Sequence, residues 1–283
     1  MKKWVLALGV AAVALAGTVA ARTAMFKADA VGDGSGIIVA PAAAFDTKVA
    51  AQHLSQAVQI QTVSHQDPAE NQTGEWTKLH AWLASTYPKA SAAMQREELG
   101  QTLIYTWPGS DPAAQPIIVM AHQDVVPVTP GTEKDWKHAP FSGEIAEGAV
   151  WGRGSVDDKG SLVALFEALE ALAGQGFKPR RTIILVTGHD EEAGGTGAEA
   201  AAQALAARKV KALFTIDEGG LIATDTPMIG GPAAMIGIAE KGYATLKVTA
   251  VAPELRAESW QLVSLGEDRM VVATDLAVTI TRW

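Results

Sequence analysis

Two acidic turns, one at each end of residues 151–192, constrain this chain more than any other feature. The first reads Trp151-Gly152-Arg153-Gly154-Ser155-Val156-Asp157-Asp158-Lys159-Gly160 and leads into an apolar helix. The second, Ile183-Ile184-Leu185-Val186-Thr187-Gly188-His189-Asp190-Glu191-Glu192, is a strand that runs straight into three acids. Carboxylates packed this densely beside buried strands are costly unless positive charge sits among them. With zero cysteines in the chain, any metal that supplies that charge must be held by His, Asp and Glu.

Hydrophobic periodicity supplies a scaffold for the two turns. Residues 46–63 and 76–87 carry apolar side chains at helical spacing, and Pro88 is expected to close the second helix. Trp76, Leu79, Trp82, Leu83 and Tyr87 on that helix read as core. Strands are expected at 92–97 and 102–107, a short, fully buried one at 117–120, and a small hairpin at 144–146 and 149–151. A helix over 159–173 puts Leu162, Leu165, Phe166, Leu169 and Leu172 on one face and stops at Gly174 and Gly176. A buried strand at 183–186, an Ala-rich helix at 198–207 and a third buried strand at 212–216 follow, then two more strands at 234–239 and 243–250. Strand and helix alternating in this way predict an α/β fold with a mostly parallel sheet flanked by helices.

The N-terminus carries an address. Lys2 and Lys3 precede an uncharged apolar run over residues 4–21, and Arg22 ends it. The segment reads either as a signal peptide or as an uncleaved membrane anchor. Both predict export, to a periplasmic or extracellular location or to the membrane surface, with the two lysines left on the cytoplasmic side. The 23 basic and 31 acidic residues give a net charge of −8. With no basic runs beyond 178–181 and 208–211, nucleic acid is excluded as a partner.

Four segments bring chemistry to one edge of this sheet. His122 and Asp124 sit just past the strand ending at Met120, and Asp157 and Asp158 lie between the hairpin and the long helix. Asp190, Glu191 and Glu192 follow the strand ending at Val186, while Asp217 and Glu218 follow the one ending at Ile216. In open α/β sheets, sites form outside the carboxyl ends of the strands. In an extended segment residues i and i+2 point the same way, so Asp124 is able to take one ring N–H of His122 and leave the other nitrogen for a metal. Asp157 is able to bridge two cations. Glu191 and Glu192 diverge, so that one can bind metal while the other faces bound water. Glu218 adds another oxygen.

These residues, in this order, resemble a known family. Ala121-His122-Gln123-Asp124-Val125-Val126-Pro127, Gly152-Arg153-Gly154 with Asp157-Asp158-Lys159-Gly160, Asp190-Glu191-Glu192 and Asp217-Glu218-Gly219-Gly220 look like the di-zinc exopeptidases: aminoacylase, carboxypeptidase S, acetylornithine deacetylase and succinyl-diaminopimelate desuccinylase. The wording is most similar to the carboxypeptidase S and N-acyl-amino-acid hydrolase branch, and the resemblance covers residues 46–250. It implies two zinc ions, with His122, Asp157, Glu192 and Glu218 as ligands, Asp157 as the bridge and a cis peptide before Asp158. It implies Asp124 behind His122 and Glu191 as the general base. The substrate class it implies is a small peptide or an N-acyl amino acid, cleaved at an amide next to a free carboxylate.

The same resemblance divides the chain into a targeting segment (1–24), a linker (25–45), the N-terminal portion of a zinc-hydrolase catalytic domain (46–240), and the first strand of a lid or dimerisation domain with an unmatched tail (241–283). Family members continue to a lid histidine and a last metal-binding histidine. Here no histidine follows His189, and the chain reads Pro253-Glu254-Leu255-Arg256-Ala257-Glu258-Ser259-Trp260 where a Gly-Gly-His-Ser-Ser-like motif is expected. The expectation is therefore a truncated chain, through a frameshift, an early stop near Pro253 or a gene fragment. Its second metal site would be incomplete, its activity weak or absent, and the family's dimer doubtful. The alternatives are a non-catalytic metal-binding pseudoenzyme or binding module, and a related metal amidase. His53, His65, His80, His138 and His189 match no ligand position and read as surface or packing residues. Asp158 and Asp190 read as supporting or helix-capping groups, and the glycines around Arg153 as a tight turn beside the site rather than a phosphate loop.

Overall fold

The computed structural model describes residues 2–25, 45–220, 222–226, 231–237, 246–250, 261–265, 268–272 and 278–282. Residues 26–44 of the expected linker at 25–45, the stretch 253–260 and parts of the strands expected at 234–239 and 243–250 lie outside the described residues. The chain forms two units, Met1–Ile216 and Asp217–Trp283.

The first unit begins with α1 (Lys2–Met25), whose residues 13–25 are exposed. Among the described residues no helix is long and apolar enough to cross a membrane. Helix α2 (Thr47–Gln59) starts where Asp46 accepts hydrogen bonds from the Lys48 and Val49 amides, which satisfies two of the N–H groups a helix leaves open. It ends earlier than the periodicity predicts. Beyond Gln59 the β-branched residues Ile60, Thr62 and Val63 leave the helix, and Val63 pairs in parallel with Val125.

Helix α3 (Thr73–Thr86) follows, then α4 (Pro88–Ala93). Pro88 therefore opens a further short helix, at a position where its missing N–H costs nothing, and this displaces the expected strand to β1 (Gln95–Leu99). Next come β2 (Thr102–Trp107), β3 (Ile117–His122), the hairpin β4 (Glu144–Ala146) and β5 (Ala149–Trp151), α5 (Lys159–Gly174), β6 (Ile183–Gly188), α6 (Thr196–Ala207) and β7 (Thr215–Ile216).

The sheet order is β1-β2-β6-β3-β7. β3 runs parallel to both β6 and β7, and β2 is antiparallel to both its neighbours. Four of the five strands thus point the same way, which is the mostly parallel α/β sheet read from the sequence. Two cores follow from the strand alternation. Leu103, Tyr105 and Trp107 of β2 join Leu79, Leu83, Tyr87, Leu162, Phe166 and Leu185 beneath the α3–α5 layer. Ile104 faces the other way, with Ile184, Val186, Ala201 and Leu205 under α6. The expected core aromatics are there: Trp76 and Tyr87 are buried, and Trp82 packs half-buried against Tyr87.

Lys159 has a role the periodicity does not reveal. It is fully buried, and its Nζ donates to the carbonyl of Ala57 at 3.0 Å and to that of Ile60. Both carbonyls, each of which also accepts a main-chain N–H, lie at the C-terminal end of α2, where a lysine is favourable. Lys159→Met should therefore cost about 1–3 kcal/mol, read as a fall in Tm of roughly 2–10 °C by calorimetry. Burial pushes the ammonium down to about 7, against ~10.4 in an unfolded chain. Between those values the unfolded state holds a proton the folded state lacks, so stability at this position rises with pH. The stability gap between parent and variant should widen from about pH 7 to about pH 10.

Among its described residues the second unit contains three antiparallel pairs: β8 (Ile222–Thr226) with β9 (Gly231–Ala234), β10 (Leu246–Ala250) with β13 (Val278–Arg282), and β11 (Gln261–Leu265) with β12 (Asp268–Val272).

Candidate metal centre

β3 and β6 end level with one another, His122 standing opposite Gly188 in the parallel register. The imidazole is 3 % exposed. Its Nε2 lies 2.9 Å from Oδ1 of Asp157. Its Nδ1 lies 3.0 Å from the main-chain oxygen of Asp124 and 3.3 Å from that residue's Oδ1. A neutral imidazole carries one N–H. With that proton on Nδ1, directed at Asp124, Nε2 and the Asp157 oxygen face each other as two acceptors. Such a pair is stable with a cation or a proton between its members, and the nitrogen-and-carboxylate donor set suits zinc and related divalent ions. The residues therefore fit a metal ion.

Asp124 does more than the spacing predicts. It is completely buried, and its carboxylate gathers the neighbouring segments. Oδ1 accepts the Glu191 amide at 3.1 Å, while Oδ2 accepts the Glu192 amide at 3.1 Å and the Ser64 hydroxyl at 2.5 Å. Burial opposes its charge, and the hydrogen bonds from His122, Ser64 and the Glu191 amide outweigh burial, holding the carboxyl below the usual range. The residue that orients His122 thus also fixes the turn bearing Glu191 and Glu192.

Sequence reasoning missed Ser64. Its partner is distant in the chain. Only the departure from helix after Gln59, which lets Ser64 N–H reach the Val125 carbonyl at 3.1 Å, brings it to the site.

Asp157 is 63 % exposed at its side chain, and the Asp157–Asp158 peptide is cis. Asp158 stands at the N-cap of α5 but makes no side-chain capping bond, so of the two expected roles it takes the supporting one. Its buried Oδ2 instead accepts the His122 amide at 3.0 Å, and burial raises its pKa. Asp190 does cap: it accepts the Thr196 and Gly197 amides at 3.0 and 2.8 Å at the start of α6. Gly154 has φ +87°, and a Cβ there would stand 2.6 Å from Val125 Cγ1. This is the tight turn expected beside the site.

Glu191 is exposed and Glu192 half-buried. Burial raises the pKa of Glu192, and the Asp157 charge raises it further, His122 acting in the opposite sense. The first unit thus brings together His122, Asp124, Asp157, Glu191 and Glu192. Glu218 is exposed at the start of the second unit, its amide 2.9 Å from Oδ1 of Asp217. In the chain it follows β7, the neighbour of β3.

The remaining histidines have packing roles. His80 is buried, with Nε2 2.7 Å from Gln123 Oε1. His53 meets Glu167 at 2.5 Å, and His138 meets Glu144 at 2.8 Å. His189 contacts Thr102 Oγ1 at 2.8 Å, and His65 contacts Asn71 at 3.2 Å.

The model of peptidase family M20/M25/M40 matches residues 118–279, more than half of the chain. That match continues past Pro253, where the sequence reading loses the family pattern. Probable carboxypeptidase S-like 2 of Dictyostelium discoideum is 38% identical over 206 residues, covering 70% of this chain and 39% of the relative. Carboxypeptidase S of Saccharomyces cerevisiae is 41% identical over 210 residues, covering 70% and 36%. The human N-fatty-acyl-amino acid synthase/hydrolase PM20D1 is 38% identical over 197 residues, covering 68% and 38%. The chain spans about two fifths of the length of these relatives.

Among solved structures, human carnosine dipeptidase 1 aligns with a TM-score of 0.51 at 23% identity, over 63% of this chain and 40% of that one. The M20 family metallo-carboxypeptidase Sso-CP2 of Sulfolobus solfataricus aligns at 0.50 and 22%, over 73% and 41%. These two establish likeness of fold.

Proposed function

The chain belongs to peptidase family M20/M25/M40, and on that premise we propose that it acts as a metal-dependent hydrolase of the amide bond beside a free carboxylate, in a small peptide or an N-acyl amino acid. The observation that carries this reading is the pairing of His122 Nε2 with Asp157 Oδ1 at 2.9 Å, next to a turn whose two glutamates are fixed through Asp124. The relatives named for carboxypeptidase S and for N-fatty-acyl-amino acid hydrolysis support the substrate class.

In this reading His122, Asp157, Glu192 and Glu218 are the residues that would hold zinc, and Asp157 is the one that would be shared between two ions. Bound there, zinc supplies a Lewis acid and lowers the pKa of water. The protein's own groups do the rest. Asp124 holds the proton on Nδ1 of His122 and so makes Nε2 the ligating nitrogen. Asp158 anchors the His122 main chain. The exposed Glu191 carboxylate takes a proton from the attacking water and returns it to the leaving amine.

The apolar, lysine-led N-terminus supports export, either free or held at the membrane through residues 4–21. The catalytic reading is tested by incubating the purified chain with an N-acyl amino acid. Release of the free amino acid should stop on chelation and return on adding zinc. Release that ignores chelator would sink it.

A further inference from the structure

Gln123 stands between His122 and Asp124, yet its side chain takes no part in their cluster and is completely buried. Its Nε2 donates to the carbonyl of Thr187 at 2.8 Å and to that of Gln101 at 3.0 Å, and lies 2.9 Å from the Thr187 hydroxyl. Its Oε1 accepts from Nε2 of His80, on α3, at 2.7 Å. The main chain joins in: Gln123 N–H donates to Gly188 O at 2.8 Å, and its carbonyl accepts the Thr62 hydroxyl at 2.6 Å.

One residue therefore fastens the exit of β3 to the exit of β6, to α3, to the turn between β1 and β2, and to the segment after α2. The next residue, Asp124, grips the Glu191 and Glu192 amides a few positions further along the chain leaving β6. Regular sheet pairing ends at His122 and Gly188. From there on, the spacing between the strand that carries His122 and the turn that carries the two glutamates is set by these side-chain bonds together with the main-chain bond from Gln123 N–H to Gly188 O.

We propose that Gln123, supported by His80, is a positioning residue of the metal centre: it fixes the spacing between His122 and the Glu191–Glu192 turn. The proposal rests on the metal-binding reading above. The chemistry requires an amide. Glutamate lacks the N–H that Thr187 and Gln101 accept, and a methionine would in addition strand the His80 N–H in the core, a loss a buried donor does not tolerate cheaply.

The test compares the parent with Gln123→Met and with His80→Ala, which removes only the donor to Oε1. Amide hydrogen exchange in the metal-free protein and Co2+ titration followed by visible absorption are both read. In Gln123→Met the Glu191 and Glu192 amides should exchange about tenfold faster or more, while the Leu185 and Ile104 amides change by less than about twofold. The Co2+ dissociation constant should rise about 10- to 100-fold with an altered absorption envelope, and His80→Ala should move all three readouts in the same direction by less. If Gln123→Met does not fold, His80→Ala decides alone.

A uniform rise in exchange across the sheet, with Co2+ affinity and spectrum unchanged, would mean that Gln123 merely stabilises the fold, and would overturn the proposal. A parent that takes up no Co2+ would instead remove the metal reading, and this proposal with it. A parent that binds and variants that match it would remove this proposal alone.

Discussion

Asp124→Ala is expected to destabilise the first unit by about 3–5 kcal/mol, the range found when one partner of a buried, hydrogen-bonded charge is removed, and to abolish tight metal binding. The carboxylate is wholly buried and accepts the Glu191 amide, the Glu192 amide and the Ser64 hydroxyl while facing His122. Alanine leaves those donors in the interior without their acceptor and lets the glutamate turn drift from His122.

Asp124→Asn separates the two effects. It keeps the shape but turns one acceptor atom into a donor that meets an amide or hydroxyl head-on. Its stability cost should be smaller, and zinc affinity should still fall about 10- to 100-fold, the usual consequence of losing the group behind a metal-bound histidine. Urea unfolding and a competitive zinc chelator measure the two quantities.

The sign of the pH dependence follows from the depressed carboxyl of Asp124. Its folded pKa lies below the unfolded value of ~3.9. The unfolded state therefore binds the extra proton, and the stabilisation is fully present above ~3.9 and is lost as pH falls through the folded value. Below about pH 4 the parent should lose stability more steeply than Asp124→Asn.

Glu191→Gln is expected to lower kcat for an N-acyl amino acid by about 10²- to 10⁴-fold, the contribution of a positioned general base, with zinc affinity changed by less than about threefold. The side chain is exposed, and its position is set by its own amide, bonded to Asp124. Glutamine preserves that amide and the local shape while removing the proton acceptor. A fall in kcat with KM held identifies loss of a group acting in the transition state. Turnover within about tenfold of the parent would assign the base elsewhere.

Much of the scaffold was legible because its signals are local. The apolar runs at β3 and β6 end in polar and acidic residues at the strand boundary, and this alone predicts a polar sheet edge. The His122-x-Asp124 spacing forecast a contact that the structure contains at 3.3 Å. The errors come from groups whose partners are far along the chain. Pro88 reads as a terminator until the N1 position of α4 is seen. Residues 60–63 continue a helical period, but Val63 pairs with Val125 instead. Ser64, Lys159 and Gln123 carry no periodic signal, because each is defined by a partner in another element: Asp124, the end of α2, and Thr187 with His80. For Asp158 the sequence left support and helix capping both open, and the His122 amide decides for support.

The account turns on the opposed acceptors, His122 Nε2 and Asp157 Oδ1, being a seat for a metal ion. Calorimetric titration of the metal-free chain with zinc, beside His122→Ala, tests this most directly. The account predicts saturable zinc binding by the parent, with proton release as the His122–Asp157 pair gives up any shared proton, and a loss of affinity of about 100-fold or more in His122→Ala. Zinc binding of equal affinity in the parent and in a folded His122→Ala variant, or no binding by the parent, would contradict it.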